Sequence, residues 1–455
     1  MANEIIKDVA QLFIQKGFEI FEVGGSVRDS ILGRKSSDVD FAVSCKPDKT
    51  LEILKEFCGK NKGYSCYTVG MDFGTIGLIS DDGQKYEFTT YRGEVYPADS
   101  RKPIVNFGTN LLQDLSRRDF TINALARYPI NGNIIDEFNG LRDIKNKTIR
   151  CVGSDERLNE DPLRMMRAIR FACQLGFDLD ILIANPERLK VISNERIRDE
   201  LNKILLSSNS KKGIQLLCHK RLMQYIIPEL LDLQGLEQGH AHITDAFNHT
   251  LMVLNSASKK DYDNDNLVFR LAALLHDIGK PKSHTITETG HHFYSHHLIG
   301  YDLSKGILTR LAYDNSTIDR VSNLVLRHME PLLMSIGDGL NKKSVGRLMR
   351  RFNNDNQNDI NMLIDLVECD LGSTSQPNIE MINVLRQMIS EIQVAIPKQK
   401  SPISGDEIME ALNLKPGKII GEIKDYLLDC ISEGLAGAND KDTLLKLARD
   451  KYYEN

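Results

Sequence analysis

The stretch that decides the fold is V-G-G-S-V-R-D-S-I-L-G-R at 23–34, followed by S-S-D-V-D-F-A-V at 36–43. It predicts a strand, a glycine turn, a helix and a second strand. Gly25 lets backbone amides approach an anion closely, and Arg28 would face back toward the turn. A guanidinium beside free amides suits a polyphosphate, whereas the alternative is a plain glycine turn between strand and helix.

Two carboxylates, Asp38 and Asp40, follow within the second strand. Strand alternation puts them on one face while Val39 and Phe41 point into the core. Two such charges repel each other and would be unfavourable beside phosphates unless divalent cations neutralise them. The pattern therefore predicts two Mg²⁺ ions that clamp the attacking and leaving oxygens of an in-line displacement. Glu87 is a candidate third carboxylate, and the alternative for the whole group is a solvated strand end.

Farther out, the hydrophobic pattern divides the chain into four regions. Strand signals at 18–23, 38–43, 65–70, 75–80 and 85–91 and helical signals at 47–60 and 117–127 predict a small α/β head with a mixed sheet. Strand signals then disappear, so the whole is an α+β protein. The expected regions are a head (1–150), an all-α neck (151–235), a helical domain rich in histidine (236–385) and, after a linker beginning at 393, a helical tail (393–455).

Composition narrows the class of protein. The 455 residues are 41% hydrophobic and 27% charged, which excludes a disordered or fibrous chain, and the net charge of −5 excludes a globally basic nucleic-acid coat. A locally basic groove remains open. Eight cysteines without a C-x-x-C pair indicate reduced thiols, and neither a signal peptide nor a membrane span is recognisable. We therefore expect a cytoplasmic protein.

The most specific chemistry lies in E-R-L-N-E-D-P-L-R-M-M-R-A-I-R-F at 156–171. Asp161 and Arg164 are three apart on a predicted helix and would project side by side. Cytosine and adenine each present an amino donor beside a ring acceptor, whereas guanine and uracil present the reverse. An adjacent carboxylate and guanidinium would therefore accept C and A, because a mismatched buried polar group costs roughly 1–3 kcal/mol. Arg167 and Arg170 continue a basic stripe suited to triphosphate or primer. An ordinary ion pair on a solvated helix is the alternative.

These motifs together resemble the class II tRNA nucleotidyltransferase and bacterial poly(A) polymerase family. The resemblance rests on GGSVRDSILG, DVDF, L-S-R-R-D-F-T-I-N-A-L-A at 115–126 and the neck stretch, which occur in the family's order. It implies that Arg118 contacts the incoming nucleotide, that Asp119 lies at its ribose, and that Asp161 and Arg164 select the base. The polar loop between Arg92 and Asp114 is of the kind that accompanies ATP incorporation in this family.

A second resemblance lies in the histidine-bearing region. The order H…HD…D, with the ending H-D-I-G-K, resembles the HD phosphohydrolase fold. That resemblance implies a divalent metal of unknown identity on His249, His276, Asp277 and Asp370. His296 and His328 match positions that carry a second metal or substrate contacts in some relatives, and a role outside metal binding stays open for them.

The function implied is template-independent addition or repair of the 3′-terminal CCA of tRNA from CTP and ATP, with release of pyrophosphate. The expected partners are the tRNA 3′ end and the two nucleotides, with no membrane and no obligate protein partner. Two alternatives remain open. One is an A-adding enzyme or a poly(A) polymerase with the same motifs. The other is a metal-dependent HD phosphohydrolase acting on RNA ends, with the head reduced to RNA binding.

Overall fold

The computed structural model describes residues 2–36, 38–95, 104–108, 110–239, 243–288, 290–336, 340–352, 358–375, 379–395, 403–432, 435–437 and 439–453. The chain divides into two compact units, Met1–Pro228 and Glu229–Asn455. Each unit buries an apolar cluster of its own.

The first unit is built on a mixed sheet. The strands of this unit are β1 Ile20–Val23, β2 Asp38–Val43, β3 Tyr64–Tyr67, β4 Thr75–Ser80, β5 Lys85–Thr90, β6 Arg92–Val95, β7 Ile104–Phe107, β8 Ala126–Arg127, β9 Ile134–Ile135, β10 Thr148–Ile149 and β11 Asp178–Leu179. Seven of them form the large sheet, in the order β3-β4-β5-β2-β1-β8-β9. β2 and β5 are parallel, and the other pairs of the large sheet are antiparallel. The predicted mixed sheet is therefore confirmed.

Helices pack against both faces of this sheet and extend beyond it. The helices of the first unit are α1 Ala2–Gln15, α2 Gly25–Ile31, α3 Pro47–Lys60, α4 Leu111–Ser116, α5 Gly140–Lys145, α6 Arg157–Glu160, α7 Leu163–Leu175, α8 Asn194–Leu205 and α9 Ser210–His219. Phe13 of α1 stacks on Phe88, and Phe88 stacks on Phe41 with ring centroids 4.8 Å apart. Because Phe41 faces this buried core, the alternate residues of β2 face the other way.

The predicted helix at 117–127 is wrong. This segment contains a short 3-10 turn at Thr121–Asn123 and then β8. Asp119 accepts from the Phe120 amide and from Asn123 within the segment, and Thr121 donates to the more distant Asp143. Such bonds compete with the bonds of a helix, so the apolar spacing alone misleads.

The polar loop after Arg92 contains a ribbon that the sequence analysis did not predict. β6 pairs antiparallel with β7, with Arg92 opposite Phe107. Residues 96–103 and 109 of this loop lie outside the described residues. The loop's suggested link to ATP incorporation therefore stays a prediction.

The neck departs from expectation in two details. β10 and β11 form a short parallel pair, so this region is not purely helical. The helix predicted to carry both Asp161 and Arg164 is interrupted at Asp161, which has extended backbone angles of −128° and 100°. The cause is Pro162, because a proline disfavours helical geometry in the residue before it. Asp161 therefore precedes α7, and the prediction that it shares a helix with Arg164 is wrong.

The second unit is mainly helical, as predicted. Its elements are α10 Ala246–Ala257, α11 Asn266–Leu275, α12 Lys280–Ser283, β12 His284–Thr287, β13 Gly290–Phe293, α13 His296–Arg310, α14 Asn315–Arg327, α15 Glu330–Ile336, α16 Lys342–Arg351, α17 Asn358–Leu371, α18 Ile379–Ala395, α19 Gly405–Leu412, α20 Lys418–Ser432 and α21 Lys441–Tyr453. The β12–β13 hairpin was not predicted. Most of the predicted linker, residues 396–402, lies outside the described residues.

Two remaining expectations concern the whole chain. Within the described ranges, no helix combines the length and apolarity that crossing a bilayer demands. All eight cysteines lie in those ranges as free thiols. The α+β fold class is confirmed, whereas the boundaries at 150, 235 and 385 stay predictions.

Candidate functional site

The predicted carboxylates of the head lie side by side on adjacent strands. In the parallel pairing of β2 with β5, Asp40 is opposite Glu87 and Asp38 is opposite Lys85. Directly opposed residues share a face of the sheet, and so do alternate residues of one strand. Asp38, Asp40 and Glu87 therefore project from the face opposite to Phe41. The structure brings together the three acids that the sequence singled out.

The electrostatics of this face favour a bound cation. Burial raises the pKa of Asp40 to about 6, Arg118 opposes the rise, and the neighbouring Glu87 and Asp38 add to it. A carboxylate that is costly to charge among other carboxylates gains most from a divalent ion. Its oxygen donors are of the type that Mg²⁺ and Ca²⁺ prefer, so the residues fit the implied metal.

The glycine turn lies against this carboxylate. Gly24 has φ of +78°, and a Cβ placed there would stand 2.9 Å from Nη1 of Arg118 and 3.6 Å from Oδ2 of Asp40. The positive φ disfavours any other residue at this position, and a side chain there would also displace the Arg118 guanidinium. α2 begins at the next residue, Gly25. The predicted turn thus lies between Asp40 and Arg118, as an anion site beside the carboxylates requires.

Arg28 lies on α2 and is 7% exposed. Its Nη1 donates to Asn123 Oδ1 at 2.6 Å, and its Nη2 is 2.8 Å from Asp29. A Cβ on Gly25 would lie 3.6 Å from the Arg28 guanidinium, so the side chain folds back toward the turn. Asn123 therefore positions the Arg28 guanidinium, a contact that was not predicted.

Arg118 and Asp119 face different partners. Arg118 Nη2 is 3.3 Å from Asp114 Oδ2. Asp119 is buried and receives two hydrogen bonds from Arg167, of 2.9 and 2.6 Å. Burial alone would raise the pKa of Asp119, but Arg167 and Asn123 lower it to about 2. The guanidinium of Arg167 therefore neutralises Asp119 in this state.

The two residues predicted to read the base each have a protein neighbour. Arg164 is buried; its Nη1 donates to Glu160 Oε2 at 2.9 Å and its Nη2 donates to the Arg117 carbonyl at 3.2 Å. The Asp161 carboxylate accepts from the Leu163 amide and lies 3.3 Å from Arg196. Glu160 and Arg196 were not predicted as partners; Glu160 precedes Asp161 directly, whereas Arg196 lies 35 residues beyond it in the sequence.

The last residue of the predicted basic stripe is internal. Arg170 donates to Glu200 at 3.0 Å, and both side chains are buried. The Arg170 guanidinium lies over the Phe171 ring at 4.3 Å, with Arg28 at 5.0 Å from the same centroid. Burial lowers the pKa of Arg170, and Glu200 opposes that shift. This ion pair fastens α7 to α8.

In the second unit, the four predicted HD residues meet although they are far apart in sequence. His249 lies on α10, His276 and Asp277 follow α11, and Asp370 lies on α17. His249 Nε2 is 2.8 Å from Asp370 Oδ1, and His276 Nε2 is 3.2 Å from Asp277 Oδ2. Single ligand atoms of His249, His276 and Asp370 lie within 4.8 Å of one another, so one ion could contact all three.

A second group of three adjoins the first and includes His296 and His328. These histidines and Asp277 likewise offer ligand atoms within 4.8 Å of one another, and all three are buried. Asp277 Oδ1 is 3.5 Å from His296, while its Oδ2 faces His276. The carboxylate of Asp277 therefore joins the two groups, hereafter the HD cluster. Nζ of Lys280, the last residue of the H-D-I-G-K ending, lies 2.6 Å from Asp277 Oδ2, a contact that was not predicted.

Backbone carbonyls orient the imidazoles of the HD cluster. Nδ1 of His276, His296 and His328 lies 3.0, 2.9 and 2.6 Å from the carbonyls of Ala273, Phe293 and Val325. An Nδ1–H that donates to a carbonyl leaves a lone pair on Nε2, the atom that a metal takes. Burial opposes ionisation of Asp277, yet His276 and Lys280 hold its pKa well below the usual value. The donor set fits a divalent metal, and imidazole suits a transition ion.

Comparison with known families reproduces the order of these regions. The Poly A polymerase head domain matches residues 20–150. The family described as a probable RNA and SrmB-binding site of polymerase A matches 182–233, and the HD domain matches 246–367. The first match contains the head carboxylates, and the third contains all of the HD cluster except Asp370.

Curated relatives carry three related names. A CCA-adding enzyme of Levilactobacillus brevis is 42% identical over 236 residues, which cover 50% of this chain and 56% of the relative. The chain thus spans about half the length of this relative. An A-adding tRNA nucleotidyltransferase of Deinococcus radiodurans is 30% identical over 91% of this chain and 92% of the relative. A CC-adding tRNA nucleotidyltransferase of Thermus thermophilus is 29% identical over 93% and 92%.

A solved structure shares the fold. The Bacillus stearothermophilus CCA-adding enzyme in complex with CTP superimposes with a TM-score of 0.65, covering 100% of this chain and 99% of the other. At 24% identity this likeness concerns the fold alone. The nearly full-length match to the Deinococcus protein establishes the family. This chain belongs to the tRNA nucleotidyltransferase family, which includes CCA-adding, A-adding and CC-adding enzymes.

Proposed function

We propose that this protein is a template-independent tRNA nucleotidyltransferase that builds or repairs the 3′-terminal CCA with CTP and ATP. One observation carries the proposal: Asp40, Glu87 and Arg118 converge beside the turn at Gly24 in a chain of this family. Acids and an anion contact in one place are what nucleotidyl transfer needs. The names of the relatives and the CTP complex of the structural neighbour support the same conclusion.

Asp38 and Asp40 would hold two Mg²⁺ ions, with Glu87 beside them. When bound, such ions activate the primer hydroxyl and neutralise charge on the attacked phosphate. The chain's own contribution is positional. The pairing of β2 with β5 sets the spacing of the carboxylates, and Phe41 anchors the other face of β2 by stacking on Phe88. The 3′-hydroxyl would attack the α-phosphate of CTP or ATP in line, and pyrophosphate would leave.

The glycine turn, Arg28 and Arg118 would bind the triphosphate. The glycines at 24 and 25 leave room for phosphate close to the backbone, and Arg118 flanks that space. Arg28, held by Asn123, would complete the positive wall. Asp119 would contact the ribose once one of its hydrogen bonds from Arg167 is released. Arg167 and Arg170 would contact phosphate only after separating from Asp119 and Glu200, respectively.

Base selection is proposed for Asp161 and Arg164. Both bracket the start of α7, and the Arg164 guanidinium touches the carbonyl of Arg117, the residue before Arg118. A base held by this pair would therefore lie near the phosphate contacts of the head. The carboxylate would accept from the amino group of C or A, and the guanidinium would donate to the ring nitrogen. Glu160 and Arg196 would set the two side chains in position.

We further propose that the substrate is tRNA and that four regions of the chain contribute to its processing. Structural neighbours include a Thermotoga maritima CCA-adding enzyme complexed with tRNA, which supports tRNA as the substrate. We propose a head at 1–150, a nucleotide-selecting neck at 151–235, an HD-type domain at 236–385 and a tRNA-contacting tail at 393–455. The protein would act in the cytoplasm without an obligate protein partner.

The test offers purified protein three tRNA transcripts, ending before CCA, after C and after CC, with CTP, ATP or both and Mg²⁺. Completion of CCA on all three is the expected result. Extension of only the CC-ended transcript would instead assign A addition, and homopolymer growth would assign a poly(A) polymerase. Incorporation of C alone would assign CC addition. Absence of any incorporation would overturn the proposal.

A second activity, hydrolysis of phosphoesters at RNA ends, is supported by the HD cluster. Six buried or half-buried ligands in two adjoining groups exceed what a structural role for one ion needs. Imidazoles and carboxylates there would hold a divalent metal whose identity is open. Transcripts ending in a 2′,3′-cyclic phosphate should be opened in the presence of Ni²⁺, Mn²⁺ or Mg²⁺. No hydrolysis with any of these ions would remove this activity and leave the first proposal intact.

A further inference from the structure

Four residues form one row across the head sheet. Asp40 is opposite Glu87, Glu87 is opposite Gly77, and Gly77 is opposite Tyr67. Because directly opposed residues share a face, Tyr67 on the edge strand β3 projects from the same face as the carboxylates. The tyrosine reaches toward them along the row.

Gly77 is the gap that makes this reach possible. A Cβ at position 77 would lie 1.9 Å from Cζ of Tyr67 and 2.2 Å from two other atoms of the ring. The phenol ring therefore occupies the place of the missing side chain. A glycine inside a strand usually marks such a close approach, since it otherwise weakens the strand.

The ring delivers its hydroxyl to the carboxylate beside Asp40. Tyr67 Oη donates to Glu87 Oε1 at 3.1 Å. A phenol carries its proton at neutral pH, so the hydroxyl is a donor. Hydrogen bonds to a charged acceptor are the stronger kind, so this contact restricts the glutamate side chain.

We propose that Tyr67 is a positioning residue, whose hydroxyl, admitted by Gly77, holds Glu87 beside Asp40 for metal binding. The inference rests on the proposed nucleotidyl transfer at this site. Without the hydroxyl, Glu87 would sample other rotamers, and part of the metal affinity would be lost. Partners that orient a ligand typically contribute about 10- to 100-fold in metal affinity or activity.

Two substitutions approach the contact from opposite sides. Tyr67→Phe removes only the hydroxyl, and Gly77→Ala displaces the ring without requiring an unusual φ at residue 77. Tyr64→Phe, on the same strand but packed against Phe57 on the core side, is the matched control. Glu87→Gln provides the reference for a lost carboxylate charge.

The measurements are the Mg²⁺ dependence of CC-to-CCA extension and direct Mn²⁺ binding by electron paramagnetic resonance. Asp40→Asn defines the binding that the head contributes. For Tyr67→Phe and Gly77→Ala we expect the half-saturating Mg²⁺ concentration to rise roughly tenfold, with an unchanged KM for ATP and weaker Mn²⁺ binding in the head. Tyr64→Phe should match the wild type.

Wild-type metal dependence and Mn²⁺ binding in Tyr67→Phe would overturn the inference. If Gly77→Ala does not fold, Tyr67→Phe alone decides the matter, since it removes a single oxygen. Failure of the proposed function is distinguishable, because the wild type itself would then extend no transcript. The Mn²⁺ measurement still tests the positioning role in that event.

Discussion

The carboxylates of the head and the HD cluster are two metal-fitting sites built in opposite ways. The head offers oxygen donors only, from adjacent positions of neighbouring strands, and Asp38 is exposed. The HD cluster mixes imidazoles with carboxylates at helix ends, and His249 and His276 are 0% exposed. Oxygen ligands at an open face suit Mg²⁺ and a large substrate, whereas buried imidazoles suit a tightly held transition ion. Because the two sites share no ligand, a substitution that removes metal binding at one of them should leave the other unaffected.

The largest expected effect is on the head. Asp40→Ala should reduce extension roughly 1,000-fold or more, about 4 kcal/mol in the barrier, because it removes a shared metal ligand. Metal binding by the HD cluster should stay unchanged. Single-turnover extension of a CC-ended transcript measures the loss, and Asp48→Ala, an exposed acid on α3, is the control. Retained turnover would show that the metal site lies elsewhere.

The reciprocal substitution is His276→Ala. It should weaken binding of Ni²⁺ or Mn²⁺ to the HD cluster by roughly 100-fold and remove any cyclic-phosphate hydrolysis, because one imidazole ligand is lost. Extension should be unchanged. Calorimetric metal titration and the extension assay check both halves, with the exposed His219→Ala as control. If His276→Ala lost both metal binding at the HD cluster and tRNA extension, the two sites would not be independent.

Base selection in the neck is tested by removing the Arg164 guanidinium. Arg164→Ala should lower discrimination against UTP and GTP roughly 10- to 100-fold, or slow CTP and ATP alike, because the donor that faces the ring nitrogen is gone. Competition between nucleotides on one transcript measures the ratio. Arg198→Ala, whose side chain pairs with Asp199, should behave as the wild type. Unchanged selectivity would contradict base reading by this pair.

The smallest effect concerns stability and follows from Asp40. Its pKa is raised from 3.8 to about 6, so the folded state binds the proton more tightly than the unfolded state. The charged form therefore destabilises the fold increasingly between pH 4 and pH 6 and fully above that. Asp40→Asn should stabilise the Mg²⁺-free protein by about 1–2 kcal/mol at pH 7.5, allowing for partial solvent access. It should have little effect near pH 3, where the carboxyl is protonated in both states.

Urea unfolding at both pH values checks this prediction. A charge that destabilises the fold is neutralised by a cation, so saturating Mg²⁺ should stabilise the wild type more than Asp40→Asn. A substitution that is destabilising at pH 7.5 would show that Asp40 is held by favourable contacts. The head would then resemble the HD cluster, in which neighbouring cations favour the charged carboxylates.

The carboxylates of the head were largely predictable from sequence because residue alternation within one strand is local. Alternation places Asp38 and Asp40 on one face, and the same rule places Glu87 once β2 and β5 pair. The contact of Tyr67 across Gly77 was missed because it depends on the register of β3 with β4 and of β4 with β5, which alternation alone does not give. Apolar spacing also failed at 117–127, where Asp119 and Thr121 bond to nearby groups instead of extending a helix.

The HD cluster, in contrast, could not be predicted from residue spacing. Its ligands are spread from His249 to Asp370, and no periodicity connects them. Only the resemblance to the HD fold brought the first four together, and the joining role of Asp277 required the structure. The neck lies between these cases. Asp161 and Arg164 are close in sequence, yet Pro162 between them ends the helical geometry that the spacing implied.

The most direct test of the central claim is a structure of this protein with CTP and Mg²⁺. The account predicts the α-phosphate beside Asp38 and Asp40, the triphosphate along Gly24 and Arg118, and the cytosine edge on Asp161 and Arg164. A nucleotide bound away from the carboxylates, with Asp161 still on Arg196 and Arg164 still on Glu160, would contradict it.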